Sequence, residues 1–352
     1  MYANYEFNTA QGLLSNMYIG FIFFTVLLSF IILALSKKFN FLIDVKLEKH
    51  KKFTSTQKNY SIGGILLVIF LILNFYNRSE YLNILFFSSV FLIGILSDLK
   101  ILNNPKIRFL VQAFLIILFI YLLDIRILNT RTEILDNFLE NKFFNYFFVI
   151  FCLMILINGS NFVDGINTLL ISYYIIVLGT LLIFLPEFIY HLVFLKYIIT
   201  LLLIILAFNL NGKIILGDSG SYSLGLFVGI YLINFSNQNI MVSPFFIILL
   251  LWYPCFELLF SMIRRNRSNI AMYEPDIYHL HQLMFNFFKT KILVRRNINH
   301  LIISLLINFY NLLIIFLGIN YIYQTSKLVM IIILNLTIYS LVYFFLRKNK
   351  KY

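Results

Sequence analysis

Apolar runs of about 20 residues, each closed by a short polar stretch, repeat along the whole chain. That is the length a helix needs to cross a bilayer's hydrocarbon core. The pattern predicts transmembrane helices near residues 17–35, 61–77, 81–97, 109–125, 143–158, 166–185, 189–209, 215–234, 242–263, 299–320 and 327–346. Eleven spans follow, two of them separated only by "NRSE" at 77–80. The first has no basic flank and no small-residue cleavage site, so it reads as a retained helix rather than a signal peptide. The expected fold is therefore an all-α polytopic membrane protein, with residues 1–352 as a single integral unit.

Composition agrees with the pattern. The chain is 61% hydrophobic and 12% charged, whereas soluble domains are roughly 45–50% apolar and about 25% charged. Charge then orients the spans. With the N-terminus outside, 22 of the 28 Lys and Arg residues fall at the inner side and five at the outer: Arg78, Arg126, Arg131, Lys142 and Lys327. Basic loops stay cytoplasmic, so an N-out, C-in topology is expected. The net charge of +13 is then a positive-inside bias with attraction to anionic membrane lipids, and it calls for no nucleic-acid partner. Cys152 and Cys255 both fall inside spans and read as packing residues.

Four polar segments interrupt this pattern, all at the expected inner side: "GILSDLKILNNPKIRFLVQ" (94–112), "NGSNFVDGINTLL" (158–170), "NGKIILGDSGSYSLG" (211–225) and "RRNRSNIAMYEPDIYHLHQ" (264–282). Polar side chains at membrane depth are costly and mark sites. Carboxylates, amides, imidazoles and guanidiniums converging on one cytoplasmic cleft suit a magnesium-bound phosphate ester, because Mg²⁺ takes one or two carboxylates and completes its shell with phosphates and water. Each segment also has a plainer reading. Asp98 can simply end a helix, Asn161 and Asp164 can cap the next one, Asp218 can sit in a turn, and Arg264, Arg265 and Arg267 can be inner-side charge. His279 and His281 lie two apart with only His300 nearby, a poor zinc set.

Taken in order, these four segments resemble the polyprenyl-phosphate N-acetylhexosamine-1-phosphate transferase family, nearer its undecaprenyl-phosphate GlcNAc-1-phosphate branch than the related phospho-MurNAc-pentapeptide translocases. "IDVKLEKHKKF…SIGGILL" (43–67) resembles the family's first cytoplasmic loop. The resemblance implies transfer of a sugar 1-phosphate from a UDP-N-acetylhexosamine to undecaprenyl phosphate, with release of UMP, in the bacterial cytoplasmic (inner) membrane. Such a step starts a lipid-linked cell-wall or O-antigen glycan. It implies Mg²⁺, with Mn²⁺ as a substitute, held by Asp218 and Asn161. Asp98, Asp164, Asp218 and His281 become the expected catalytic residues. Ser97, Lys106 and Arg108 fall on the acceptor side, Asn158, Asn161, Gly165 and Asn167 on the nucleotide and sugar side. Arg264, Arg265, Arg267, His279 and His281 would grip sugar and phosphates. A homodimer is compatible with this reading.

Ser97, Asn167 and Gln282 depart from the family pattern, which has Asp, Asp and His there. Ser97 replaces a proposed base, yet a phosphate monoester with a second pKa near ~6 is already mostly a dianion at pH 7. Two further readings stay open: a non-catalytic relative that binds lipid phosphate, and a multi-pass transporter, whose charges would instead sit near the bilayer midplane.

Overall fold

A computed structural model describes residues 2–44, 59–189, 191–267, 278–292 and 296–348. Thirteen α-helices run through them: α1 Tyr2–Phe39, α2 Gly63–Asn77, α3 Tyr81–Asp98, α4 Pro105–Leu123, α5 Glu133–Leu139, α6 Lys142–Val163, α7 Leu169–Phe184, α8 Leu192–Leu210, α9 Gly217–Gln238, α10 Pro244–Arg267, α11 Leu280–Ile292, α12 Arg296–Ile319 and α13 Thr325–Lys348. Every apolar segment read from the sequence coincides with one helix. Eight of the helices are long and apolar enough to cross a membrane: α1 from Met17, α3, α4, α6, α8, α10, α12 from Ile298, and α13. The other three expected spans differ for physical reasons. α2 and α7 are short, with 15 and 16 residues. α9 is long, but its first turns are Gly and Ser rather than apolar.

The expectation of an all-α chain needs one amendment. Ile43–Asp44 (β1) and Asn59–Tyr60 (β2) pair antiparallel, and the α8–α9 linker joins them through a parallel bridge from Ile214 to Tyr60. Ile215 N donates to Tyr60 O at 3.0 Å, and Gly63 N donates to Ile215 O at 3.0 Å. These bonds satisfy a stretch of backbone that no helix covers, and they fix the start of α9.

Helix α9 lies at the centre, buried along most of its length. Its small residues permit this. A Cβ on Gly94 of α3 would come within 2.2 Å of Ser219 Cα, one on Gly64 of α2 within 2.5 Å of Gly220 N, and one on Gly225 within 2.7 Å of Ser160 Oγ on α6. Close backbone approach at small residues is how helices associate where lipid removes the hydrophobic drive. α6 meets α10 in the same way, Gly159 against the Pro254 carbonyl. Pro254 cannot donate to Leu250 O one turn back, and the Tyr173 hydroxyl fills that role at 2.7 Å.

Candidate functional site

The site gathers where α3, α6 and α10 end and where α4, α9 and α11 begin. α4 starts cleanly: Asn104 caps it by accepting from Lys106 N at 3.0 Å, and Pro105 stands at its first position. One turn in, Arg108 Nη1 reaches Asp218 Oδ2 at 3.0 Å. Arg108 also donates to Ser97 Oγ, and Ser97 Oγ donates to the same Asp218 oxygen at 2.6 Å. The other oxygen, Asp218 Oδ1, has no hydrogen-bond partner among the described residues. The Arg108 and Asp218 side chains are 23% and 14% exposed, so the pair is largely desolvated yet reachable.

Asp98 behaves differently from the expectation. Its Oδ1 accepts from Asp218 N at 2.9 Å, and its Oδ2 accepts from Ser219 N at 3.1 Å and Ser219 Oγ at 2.8 Å. It caps α9 from a neighbouring helix, in place of Leu216, which makes no side-chain cap. Gly217 allows this approach: its φ is +71°, and a Cβ there would lie 2.7 Å from Asp98 Oδ2. Ser97, expected on the acceptor side, directs its proton to Asp218. Lys106 is exposed beside this group.

On α6 the helix runs past the apolar stretch to Val163, so Asn158 and Asn161 are helical rather than in a loop. Asn158 turns back to Met154 O at 2.9 Å. Asn161 faces α9: Ser221 Oγ donates to its Oδ1 at 3.1 Å and sits 3.2 Å from Asp218 O, while its Nδ2 reaches the Tyr222 hydroxyl at 3.3 Å. Asp164 is the half-buried residue that closes α6. Gly165 follows, and a Cβ there would press to 2.9 Å from His281 Nε2. Asn167 lies apart from this cluster, towards Gly212 in the α8–α9 linker.

His281 is completely buried, and neither ring nitrogen has a hydrogen-bond partner among the described residues. Its ring stacks flat on His279, 5.6 Å between centroids and 4° between planes. Burial pushes the His281 pKa down to about 3. His279 is also held below the usual histidine value, by burial first, with Glu257 opposing. His279 Nδ1 lies 3.0 Å from Glu257 Oε1, and its ring leans on Phe162. The arginines divide. Arg264 is 8% exposed and bonds the Tyr278 carbonyl, the Tyr343 hydroxyl and Ser261 Oγ, a structural network rather than an open anion site. Arg265, also buried, lies over the Phe162 ring, and Arg267 is exposed. The segment between Arg267 and Tyr278, and the basic stretch at 45–58, lie outside the described residues.

Glu257 does not stand out from the sequence. A lone carboxylate inside the apolar stretch "WYPCFELLF" is the available signal. Among the described residues, no three His, Cys, Asp or Glu side chains converge as a metal cage. The set does fit a cation that uses few protein ligands: Asp218 Oδ1 is available, and the Asn161 carbonyl is linked to Asp218 through Ser221.

Residues 81–236 match the family model of glycosyl transferase family 4. The match runs from α3 to α9. It takes in Ser97, Asp98, Arg108, Asn161, Asp164 and Asp218, and it stops short of Glu257, His279 and His281. It indicates a transferase, and the apolar helices make it a membrane-embedded one. No curated protein matches the chain.

Proposed function

We propose that this protein transfers an N-acetylhexosamine 1-phosphate from a UDP-linked donor to undecaprenyl phosphate and releases UMP. One observation carries the reading: Asp218, with one oxygen available and Arg108 on the other, stands in the first turn of α9, inside the span that matches the transferase family. The α9 amino end already holds the Asp98 carboxylate, so Arg108 is the full positive charge that meets phosphate there. The paired carboxylate keeps that end from simply trapping phosphate and offers a ligand for a divalent ion. Mg²⁺, or Mn²⁺ in its place, would be held by Asp218 with Asn161 and would neutralise pyrophosphate charge when bound.

The chain's own residues supply position and field. An oxygen of the lipid phosphate attacks the phosphorus attached to the sugar, and the bond from that phosphorus to the bridging oxygen breaks as UMP departs. At neutral pH the acceptor is largely a dianion, so no general base is required. Arg108 stabilises the charge that builds on the phosphoryl oxygens. Asp98 holds α9 in register, and the buried imidazoles beside Gly165 face the turn that closes α6.

The test is purified protein with Mg²⁺, undecaprenyl phosphate and a panel of UDP-N-acetylhexosamines. UMP release together with a lipid-linked product is expected for at least one donor, and loss of both on chelation. Product from no donor would sink the reading. The proposed orientation, N-terminus out and site facing the cytoplasm of the inner membrane, is checked by single cysteines in a Cys-free background. Asn137→Cys on α5 should label from outside and Asn211→Cys, just after α8, from inside. Labelling from one side overturns it.

A further inference from the structure

Glu257 has no exposure at all and sits within an apolar helix. A buried carboxylate is strongly unfavourable unless paired and hydrogen-bonded. Three groups from two other elements meet it. Oε1 accepts from Leu280 N at 3.2 Å and lies 3.0 Å from His279 Nδ1, and Oε2 accepts from the Tyr339 hydroxyl at 2.6 Å. The Tyr339 ring is itself wedged against Trp252, Phe256 and Phe260 of α10. The carboxylate therefore pins the first turn of α11 to α10 and α13.

The same contacts assign the imidazole's protons. Leu280 N and the Tyr339 hydroxyl both donate to the Glu257 carboxyl, which as a carboxylate can only accept, so the imidazole sharing Oε1 donates as well. Nδ1 of His279 consequently carries a hydrogen. Nε2 is left as the ring's other polar atom, with no partner among the described residues. Capping α11 alone would need only a neutral acceptor. A carboxylate on the inner nitrogen of an imidazole does more: it fixes the tautomer and the ring plane, and it stabilises the ring when the outer nitrogen is also protonated. That ring is stacked on His281 and rests on Phe162, the residue after Asn161.

We propose that Glu257 is a positioning residue for sugar-phosphate transfer, holding His279 through Nδ1 so that Nε2 meets the anionic donor. The inference rests on the transferase reading for its consequence, but its geometry can be tested separately. In the full-length protein, Glu257→Gln keeps an acceptor for Leu280 and His279 and removes the charge. We expect kcat/KM for the UDP-sugar to fall ten- to a hundredfold, with little change in the thermal unfolding midpoint. In a His279→Ala background the same change should cost less than twofold. Equal losses in both backgrounds, or no loss in either, overturn the proposal. If the wild-type protein turns over no donor, the transferase reading fails, and ¹⁵N spectra of histidine-labelled protein still decide the geometry. The His279 signal, identified by its loss in His279→Ala, should show a protonated Nδ1 held in a strong hydrogen bond. A neutral ring protonated only on Nε2 overturns the inference whatever the activity.

Discussion

The two ends of the helix bundle carry similar residue types and use them in opposite ways. At the end where α4 finishes and α6 begins, Asp124 meets Arg126 at 3.0 Å and Lys142 at 3.3 Å, with side chains 41–55% exposed. A hydrogen bond from the Tyr146 hydroxyl, with the two cations, holds the Asp124 carboxyl below its usual range. Exposed pairs of this kind contribute little. The loops there are fastened by hydrogen bonds to backbone groups instead. Asn237 bridges the Arg126 carbonyl and Leu128 N, and Arg131 grips the carbonyls of Ile240, Met241 and Tyr323. At the other end, Arg108 and Asp218 are mostly desolvated, Asp98 is locked onto a helix start, and two imidazoles are buried. Charge in water shapes a surface. Charge held out of water, with one oxygen left available, is chemistry waiting for a ligand.

The largest effect that can break this contrast comes from matched substitutions. Asp218→Asn removes the anion beside Arg108, and UMP release should fall by several orders of magnitude while the protein still elutes as a folded species. Asp124→Asn should leave turnover within twofold. Comparable losses from both changes would erase the distinction between the ends.

Glycines sharpen it on stability. Gly94→Ala drives a methyl to 2.2 Å from Ser219 Cα, a backbone clash with no side chain to yield, and overpacking of this sort costs roughly 1–3 kcal/mol or more. A Cβ on Gly179 of α7 would meet nothing within 4 Å, so Gly179→Ala should be neutral or gain up to about 1 kcal/mol from helix propensity. Thermal unfolding in detergent compares the two. A tolerated Gly94→Ala would mean that α3 and α9 are not pressed together at the site.

Much of this arrangement is legible in the chain, and what is not shares one cause. Each apolar run becomes a helix because periodicity and length are local properties. That the polar segments share one end follows from counting spans. The distances between them do not, because a carboxylate that caps a neighbouring helix and one that touches substrate look identical in sequence. Asp98, expected to be catalytic, and Ser97, expected on the acceptor side, both turn to α9. Small residues in "GDSGSYSLG" suggest a polar cleft, and they also serve as the close-packed crossing of α2, α3 and α9. The segment "LHQLMFNFFKTKI" falls in none of the expected spans and forms α11, since its mixed face lacks the length of a span. Glu257 escapes notice because its partner lies 22 residues away.

A third prediction concerns pH. His281 titrates at about 3 when folded, against 6.5 in the open chain. Between those values the unfolded chain binds more protons, so stability rises with pH across the window and is lost as pH falls from 7. At pH 5 the loss approaches roughly 2 kcal/mol. The unfolding midpoint should drop from pH 7 to 5, and less steeply in His281→Gln. Parallel pH profiles for the two proteins would show that the imidazole is not held neutral by its surroundings.

The smallest effect is expected at Ser97, and it separates structure from chemistry most finely. The Ser97 hydroxyl lies between Arg108 and Asp218, but Arg108 also reaches Asp218 Oδ2 directly at 3.0 Å. Ser97→Ala therefore removes one bridge from a pair that remains joined. The net value of such a bond is about 1 kcal/mol, so turnover should fall at most about tenfold. A base is not what would be lost, because a lipid phosphate with a second pKa near ~6 reaches the site largely deprotonated at pH 7. The rate should accordingly fall as pH drops through the phosphate's own titration, in Ser97→Ala as in the wild type. Ser97→Asp puts a second carboxylate against Asp218 and competes for Arg108, which should slow the reaction rather than help it. Protein that makes no lipid product until Ser97 is changed to Asp would show the opposite, that a carboxylate at 97 is indispensable and that Arg108 and Asp218 alone do not make a working site.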